Sequence, residues 1–173
     1  MNNEIIGAAY RIEPLDRQAG RDAFTCGVEP LDRYLRQQAS QDASRGFAAV
    51  FVVVEQQSAE LRGYFTLSMA GVPVTLIPPE LRASMPRYPS VPAIRLGRLA
   101  VALSARGRGL GKFLLFDAMD RALHNEVAWA TFIVDAKDEA ARNFYLQYGF
   151  LGLLDDPDHL YLPRATVKAA WAS

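Results

Sequence analysis

The sequence predicts a single mixed α/β domain. Segments with the apolar character of strands alternate with segments of helical spacing, in the predicted order β-α-β-β-β-α-β-α-β. The 173 residues are 50% hydrophobic and 22% charged, a composition typical of a globular chain with a core of its own. Neither an internal repeat nor a linker is evident. We therefore expect one domain over residues 1–173, with its core at about 10–163 and a peripheral tail at 164–173.

The first half of the chain predicts a strand, a helix and a hairpin. Residues 9–15 alternate like a strand, and a helix begins near Pro30, whose missing N–H costs nothing in the first turn. Gly46 ends this helix, whose apolar stripe consists of Leu31, Tyr34, Leu35 and Ala39. Residues 47–72 contain two apolar runs separated by a polar turn. This pattern predicts an antiparallel hairpin whose first strand, 47–55, is buried.

The second half begins with a proline-rich segment. Six prolines fall within residues 73–92, which predicts a loop with at most a short turn of helix at 79–84. An apolar strand follows from Ile94. The further predicted elements are a helix at about 109–125, a strand at 129–134, a helix capped by Asp138 that runs to about Tyr148, and short strands at 150–154 and 160–162.

A glycine-rich turn joins the strand from Ile94 to the helix that follows. The turn reads Arg106-Gly107-Arg108-Gly109-Leu110-Gly111. The first N–H groups of a helix have no partner within it and carry positive potential, and glycines let a ligand approach the backbone. Arg106, Arg108 and Lys112 add cationic side chains. The turn is therefore a candidate pyrophosphate cradle.

The alternative interpretation is an ordinary strand-to-helix turn with solvated arginines. The spacing excludes two nucleotide motifs, because no Gly-Lys-Ser/Thr closes the turn and G-x-G-x-x-G is not matched. It does match Arg/Gln-x-x-Gly-x-Gly/Ala, from Arg106 to Gly111. That pattern resembles the pyrophosphate loop of the GNAT acetyltransferases, which hold acetyl-coenzyme A.

This resemblance implies a fold, a co-substrate and a set of binding residues. The implied fold is a mixed, mainly antiparallel central sheet flanked by helices. The implied co-substrate is acetyl-CoA, with its acetyl group aligned by Leu99, Ala100 and Val101. The implied pyrophosphate ligands are Arg106, Gly107, Arg108, Gly109, Leu110, Gly111 and Lys112.

Tyr145 is the candidate catalytic residue. By itself it is more typical of a core aromatic residue whose hydroxyl lies at an edge. The run Ala141-Arg142-Asn143-Phe144-Tyr145, followed by Gly149-Phe150, resembles the GNAT signature A-x-x-x-Y-x-x-x-G-F. The resemblance implies that Tyr145 protonates the departing thiolate of coenzyme A. A phenol with a pKa of about 10 is protonated at neutral pH and can act as such an acid.

The sequence offers no obvious general base. We interpret His124 and His159 as structural or solvated residues. The end of the strand at Leu99–Val101 could offer a backbone N–H to the thioester carbonyl if the strand bulges away from its neighbour. The missing base indicates an acceptor amine that is already largely neutral. An α-amino group, with a pKa of about 8, meets that condition better than a lysine.

Charge and composition limit the other function classes. Lys+Arg and Asp+Glu number 19 each, which argues against a broadly basic surface, although Arg82 to Lys112 carries seven cations and no acid. The single cysteine, Cys26, excludes an internal disulfide, and we expect no metal site. Residues 1–4 do not read as a signal peptide, and no apolar run has membrane-spanning length. We therefore expect a cytoplasmic protein with no membrane partner.

Most of the chain, about residues 10–163, resembles one GNAT branch, the tRNA-acetylating toxins (TacT/AtaT type) of bacterial toxin–antitoxin pairs. The matching stretches are Phe24-x-Cys26-Gly27-x-x-x-Leu31-Asp32-x-Tyr34-Leu35, Gly63-Tyr64-Phe65-Thr66-Leu67-Ser68 and Gly97-Arg98-Leu99-Ala100-Val101. The resemblance implies acetylation of the amino group of aminoacyl-tRNA and a block of translation. It also implies a ribbon-helix-helix antitoxin as partner and a homodimer.

Two positions depart from these patterns: Ala102 stands where the toxin group commonly has Asp, and Asp138 where many GNATs have Asn. Arg87, Arg95 and Arg98 are candidate contacts to phosphates or an acceptor stem, with a solvated charge or an ion pair as the alternative for each. Two other functions stay open on the sequence. One is an N-acetyltransferase of a small-molecule or peptide amine, and the other is a non-catalytic module that binds acetyl-CoA or a partner.

Overall fold

A computed structural model describes residues 3–172, with side chains from residue 6 onward. The strands are β1 (Tyr10–Pro14), β2 (Ala49–Glu55), β3 (Leu61–Pro73), β4 (Ser90–Val101), β5 (Thr131–Asp135), β6 (Leu151–Gly152) and β7 (His159–Pro163). The α-helices are α1 (Asn3–Ala9), α2 (Glu29–Arg33), α3 (Ala39–Arg45), α4 (Pro79–Arg82), α5 (Leu110–Leu123), α6 (Glu139–Leu146) and α7 (Arg164–Ala172). A π-helical segment, Tyr34–Gln38, joins α2 to α3. The predicted domain limits, residues 1 and 173, lie outside the described residues.

The strands form one seven-stranded sheet in the order β1-β2-β3-β4-β5-β7-β6. The pairs β1/β2, β2/β3, β5/β7 and β6/β7 are antiparallel. The pair β4/β5 is parallel, with Ala93 opposite Thr131 and Leu96 opposite Val134. The predicted fold class, a mixed and mainly antiparallel sheet with helices, is confirmed.

The chain forms two compact units, and neither is a continuous segment. The first consists of the described residues up to Ser68 together with Gly97–Asp120. Its buried side chains include those of the hairpin and of α5, whose Leu114 and Leu115 are fully buried. Tyr64 stacks on Tyr34 with ring centroids 6.2 Å apart. This unit contains the strand end, the glycine-rich turn and the first part of α5.

The second unit consists of Met69–Leu96 together with the described residues from Arg121 onward. One of its cores contains Val72, Ile77, Val91, Ala93, Ile133, Leu153 and Tyr161. The proline-rich segment packs against this core through partly buried residues such as Leu81 and Met85. The segment is therefore held by apolar contacts, with a short 3₁₀ helix at Val74–Leu76 as well as α4.

Several predicted elements are confirmed by the structure. Gly46 ends α3 in the left-handed conformation, with φ of 76°. The hairpin β2/β3 and the helix α5 lie where they were predicted. The Asp138 side chain caps α6 by accepting a hydrogen bond from the N–H of Ala141 at 2.8 Å.

Other predictions of element bounds were wrong. Phe47 is 68% exposed and outside β2, because its N–H is donated to the carbonyl of Asp42 at the end of α3. β4 begins at Ser90 and includes Pro92, whose carbonyl still accepts a hydrogen bond from Ala130 although it has no N–H to donate. β5 begins at Thr131, two residues later than predicted.

The two ends of the described chain form helices that the sequence pattern did not predict. The C-terminal segment forms α7, in which Val167 is fully buried and most other side chains are exposed. α1 precedes β1. Within residues 3–172, no helix combines the length and apolar character needed to cross a membrane.

Candidate active site

The backbone N–H groups at the end of β4 point alternately toward β3 and away from it. Ala102, which follows the strand, donates its N–H to the Arg62 carbonyl of β3 at 2.8 Å. Because backbone groups alternate along a strand, the N–H groups of Leu99 and Val101 point away from β3. Gly63 permits the close approach of the strands, since a Cβ there would lie 2.8 Å from the Ala100 carbonyl oxygen. The strand end therefore has N–H donors that β3 does not use.

The turn after β4 depends on glycine. Gly107 and Gly109 have φ of 73° and 78°, a left-handed conformation that costs other L-residues about 1–2 kcal/mol. The Gly109 carbonyl accepts a hydrogen bond from the N–H of Phe113 at 3.1 Å, so Gly109 is the N-cap of α5. A glycine at this position has no side chain that could accept hydrogen bonds from the first turn. The helix thus begins without a side-chain cap.

The backbone N–H groups at this helix start have no internal acceptor. Among the residues that the structure describes, none accepts a hydrogen bond from the N–H of residues 107–112. α5 has 14 residues, so the helix dipole adds positive potential at the same point. Donors and potential together are what an anion such as pyrophosphate requires.

The arginines of the turn contact the protein itself. The Arg106 guanidinium donates to the Cys26 carbonyl at 2.6 Å. The Arg108 guanidinium donates to the Tyr10 hydroxyl at 3.1 Å and lies 4.0 Å from Glu55. These contacts hold the turn in place.

The other predicted residues of the turn differ in exposure. Leu110 is 1% exposed and belongs to the core, so it can offer a ligand its N–H but not its side chain. Gly111 is half-buried. The Lys112 side chain is exposed, with its ammonium 5.5 Å from the ring centroid of Phe116. Lys112 is therefore the cation of this turn best placed to meet a ligand.

Tyr145, in the second unit, is buried by aromatic rings. Its ring centroid lies 5.2 Å from that of Phe144 and 5.4 Å from that of Phe150. Burial raises the pKa of its phenol, so the group is fully protonated at neutral pH. The Tyr34 and Tyr64 hydroxyls donate hydrogen bonds to protein oxygens, whereas that of Tyr145 has no hydrogen-bond partner among residues 3–172. Its proton is therefore available to a ligand.

The three candidate substrate arginines lie in different surroundings. Arg87 is exposed and follows α4, and Arg95 is half-buried in β4 with a buried Nε that lacks a hydrogen-bond partner. Within the described part of the chain, neither forms an ion pair. Arg98 packs its guanidinium 3.5 Å above the Tyr34 ring centroid, which gives it a role in packing.

The structure reveals contacts that sequence reasoning missed. The segment Thr25–Gly27 contacts the turn, and the buried Asp32 holds that segment. These residues belong to the Phe24–Leu35 motif that the sequence shows, but nothing in the sequence indicates which residues they contact. His159 lies between Asp155, at 3.0 Å, and Asp135, at 3.6 Å. No group of three or more His, Cys, Asp or Glu residues with metal-site geometry occurs in the described part of the chain.

The sequence of the chain matches a known protein family. The family model for the acetyltransferase (GNAT) domain matches residues 35–157. The tRNA-acetylating toxin of Mycobacterium tuberculosis (strain ATCC 25618 / H37Rv) is 34% identical over 149 residues, which cover 85% of this chain and 87% of that protein.

Solved structures with the same fold include GNAT toxins. A tyrosine-to-phenylalanine mutant of KacT matches with a TM-score of 0.87 and 25% identity, over 94% of this chain and 99% of that one. AtaT complexed with acetyl-methionyl-tRNAfMet matches in fold with a TM-score of 0.86 and 24% identity, again over 94% and 99%. With the family model covering most of its length, the chain belongs to the GNAT acetyltransferase family.

Proposed function

We propose that this protein is an acetyl-CoA-dependent toxin that acetylates the amino group of aminoacyl-tRNA and thereby blocks translation. The observation that carries the proposal is the helix start with unpartnered amides, in a chain 34% identical to a tRNA-acetylating toxin over 85% of its length. The match extends over 85% of this chain and 87% of that protein, so it is not confined to a coenzyme-binding segment.

Acetyl-CoA fits the residues at the helix start. The N–H groups of residues 107–112 would hold the pyrophosphate, and Lys112 would add a positive charge. The N–H of Val101, directed away from β3, would stabilise the negative charge that develops on the thioester oxygen. The donors belong to the backbone, so they are fixed before the ligand arrives.

Tyr145 supplies the acid in the proposed reaction. The amine nitrogen attacks the thioester carbonyl carbon, the carbon–sulfur bond breaks, and the phenol proton passes to the departing thiolate. The nitrogen loses one proton to solvent as the amide forms, and the Tyr145 phenolate regains a proton from solvent. The absence of an internal hydrogen bond at the Tyr145 hydroxyl supports this role. Burial raises the pKa of the phenol, which keeps the group protonated until the thiolate forms. The amine of an esterified amino acid is weakly basic and already neutral, so the reaction needs no dedicated base.

Arg87 and Arg95 are the proposed phosphate contacts of the tRNA. They have no carboxylate partner among the described residues, whereas Arg98 is engaged with Tyr34. Phosphate contacts position a nucleic acid without reading its sequence. Arg87 is the stronger candidate of the two because its side chain is exposed.

Partners and location follow from this function. A toxin that blocks translation requires a neutralising partner in the cell that produces it, and we propose a ribbon-helix-helix antitoxin. The substrate exists where ribosomes work, so we propose the cytoplasm as the place of action. We also propose a homodimer, which sedimentation equilibrium of the purified protein would test by its mass.

Replacement of Tyr145 by Phe tests the reaction. The wild-type protein, incubated with acetyl-CoA and a mixed pool of charged tRNA, should yield N-acetylated amino acids by mass spectrometry. Tyr145→Phe should lower kcat by about 10²-fold, because the acid is lost while packing is retained. Tyr148→Phe, which removes a hydroxyl just beyond the same helix, should retain activity. Acetylation of free amines or peptides in place of charged tRNA would contradict the proposed substrate.

Two alanine variants test the backbone cradle. Gly107 and Gly46 have φ of 73° and 76°, and a Cβ at either would meet nothing within 4 Å. Each Gly→Ala change should therefore cost about 1–2 kcal/mol of stability through backbone strain. Gly107→Ala should also weaken coenzyme A binding about tenfold in calorimetry, because a change of φ at residue 107 moves the neighbouring N–H groups out of position. Equal coenzyme affinity in both variants would exclude Gly107 from the site.

Salt dependence tests the proposed phosphate contact at Arg87. Removal of one phosphate contact should reduce the slope of log KM for charged tRNA against log salt concentration by about 0.9. Arg87→Ala should show this change with an unaltered KM for acetyl-CoA. Arg17→Ala is the control, since Arg17 is also exposed and forms no ion pair in the described part of the chain. An unchanged slope for Arg87→Ala would assign Arg87 to the solvated surface.

A further inference from the structure

A buried carboxylate near the glycine-rich turn has no task in the proposed reaction. Asp32, on α2, is 3% exposed. It accepts hydrogen bonds from the N–H of Cys26 at 2.8 Å and from the Thr25 hydroxyl at 3.0 Å. Burial acts to raise the pKa of Asp32, but these hydrogen bonds outweigh it, and the pKa is lowered. Asp32 is thus a buried anion with two donors directed at it.

The two donors belong to one short segment, Thr25–Gly27. The Thr25 hydroxyl also accepts from the N–H of Gly27 at 3.3 Å, which folds the segment around the carboxylate. Gly27 has φ of 84°, a conformation that requires glycine. The carboxylate therefore fixes the direction of the carbonyl groups that this segment presents on its other side.

Those carbonyls hold the segment that leads into the turn. The Thr25 carbonyl accepts from the N–H of Leu103 at 2.9 Å, and the Cys26 carbonyl accepts from the Arg106 guanidinium at 2.6 Å. The fit is close, because a Cβ at Gly27 would lie 3.2 Å from the Leu103 side chain and 3.5 Å from Arg106. Both ends of the segment Leu103–Arg106 are thereby attached to Thr25–Gly27.

We propose that Asp32 is a positioning residue for acetyl-CoA, which acts through Thr25–Gly27 and Arg106 on the amides that follow Arg106. Arg106 is the residue before Gly107, where the unpartnered N–H groups begin. The proposal rests on the proposed co-substrate but not on the identity of the acceptor. It names a residue that contacts no ligand and yet sets the geometry of the coenzyme site.

The need for a carboxylate follows from the hydrogen bonds. Two donors approach two different oxygens, and an asparagine offers one oxygen and an NH₂ group that cannot accept. Asp32→Asn therefore keeps the volume and loses one acceptor. Thr25→Val removes the hydroxyl that donates a hydrogen bond to Asp32, whereas Thr25→Ser retains a hydroxyl at this position.

The experiment compares these variants in coenzyme A binding by calorimetry and in steady-state kinetics. Asp32→Asn and Thr25→Val should each raise the Kd for coenzyme A and the KM for acetyl-CoA about tenfold, as expected for a misplaced ligand-binding turn. The KM for charged tRNA should be unchanged, and Thr25→Ser should bind like the wild type. Amide exchange at Leu103 should be faster in Asp32→Asn.

Asp42→Asn is the matched control. Asp42 also accepts two side-chain hydrogen bonds, from Tyr34 at 2.9 Å and Gln38 at 2.9 Å, but it holds no part of the turn. It should leave the affinity for coenzyme A unchanged. If folded Asp32→Asn binds coenzyme A like Asp42→Asn, the role of Asp32 is confined to stability and the proposal is overturned.

Two further outcomes are decisive. If Asp32→Asn does not fold, the Thr25 pair decides, since equal binding by Thr25→Val and Thr25→Ser overturns the proposal. A wild-type protein that binds coenzyme A but acetylates no charged tRNA would contradict the proposed substrate. In that case the tenfold loss of coenzyme affinity in Asp32→Asn would still support the positioning role. The two proposals can therefore fail independently.

Discussion

The unpartnered amides at the start of α5 are the constraint on which the site depends. Gly107 and Gly109 turn the chain through left-handed conformations, and Gly109 caps the helix without a side chain. A residue such as Ser or Asp at this N-cap would offer an oxygen to the first turn and compete with a ligand. The absence of that oxygen leaves donors and helix dipole to an external anion. The contacts of Arg106 with Cys26 and of Arg108 with Tyr10 hold the turn that carries these amides.

The neutral charge of the chain agrees with this arrangement. Two cations of the basic stretch from Arg82 to Lys112, Arg106 and Arg108, keep their charge but are held by protein oxygens. Arg62, on β3, is bound by Glu55 and Glu60 and donates to Ser104, beside the turn. The charged side chains here hold the loop, and the backbone N–H groups are the proposed anion site. Equal numbers of acidic and basic residues are therefore compatible with a local anion site built from backbone N–H groups.

The sequence predicted what depends on local pattern. The hairpin, α5 and the Asp138 cap follow from apolar spacing and from one residue type at one position. Phe47 was misplaced because apolar character alone does not show that its N–H closes the end of α3. α7 was missed although its four alanines favour a helix, because the segment was judged to be small and polar.

The same division applies to the site. The glycine-rich turn could be found because its residues are consecutive, and its match to a family pattern needs no knowledge of the fold. The contact between Cys26 and Arg106 spans 80 residues, and no local pattern predicts it. The role of Asp32 follows from that contact, so it could be inferred only from the structure. Likewise, the packing of Arg98 on Tyr34 was not evident from either residue's neighbours in sequence.

A titration of isotope-labelled protein with coenzyme A, followed through its backbone amide resonances, tests the central claim most directly. If the helix start binds the pyrophosphate, the largest shifts should occur at the amides of residues 107–112, and exchange of these amides with solvent should slow on binding. Saturable binding with shifts concentrated elsewhere and none at these six amides would contradict the account.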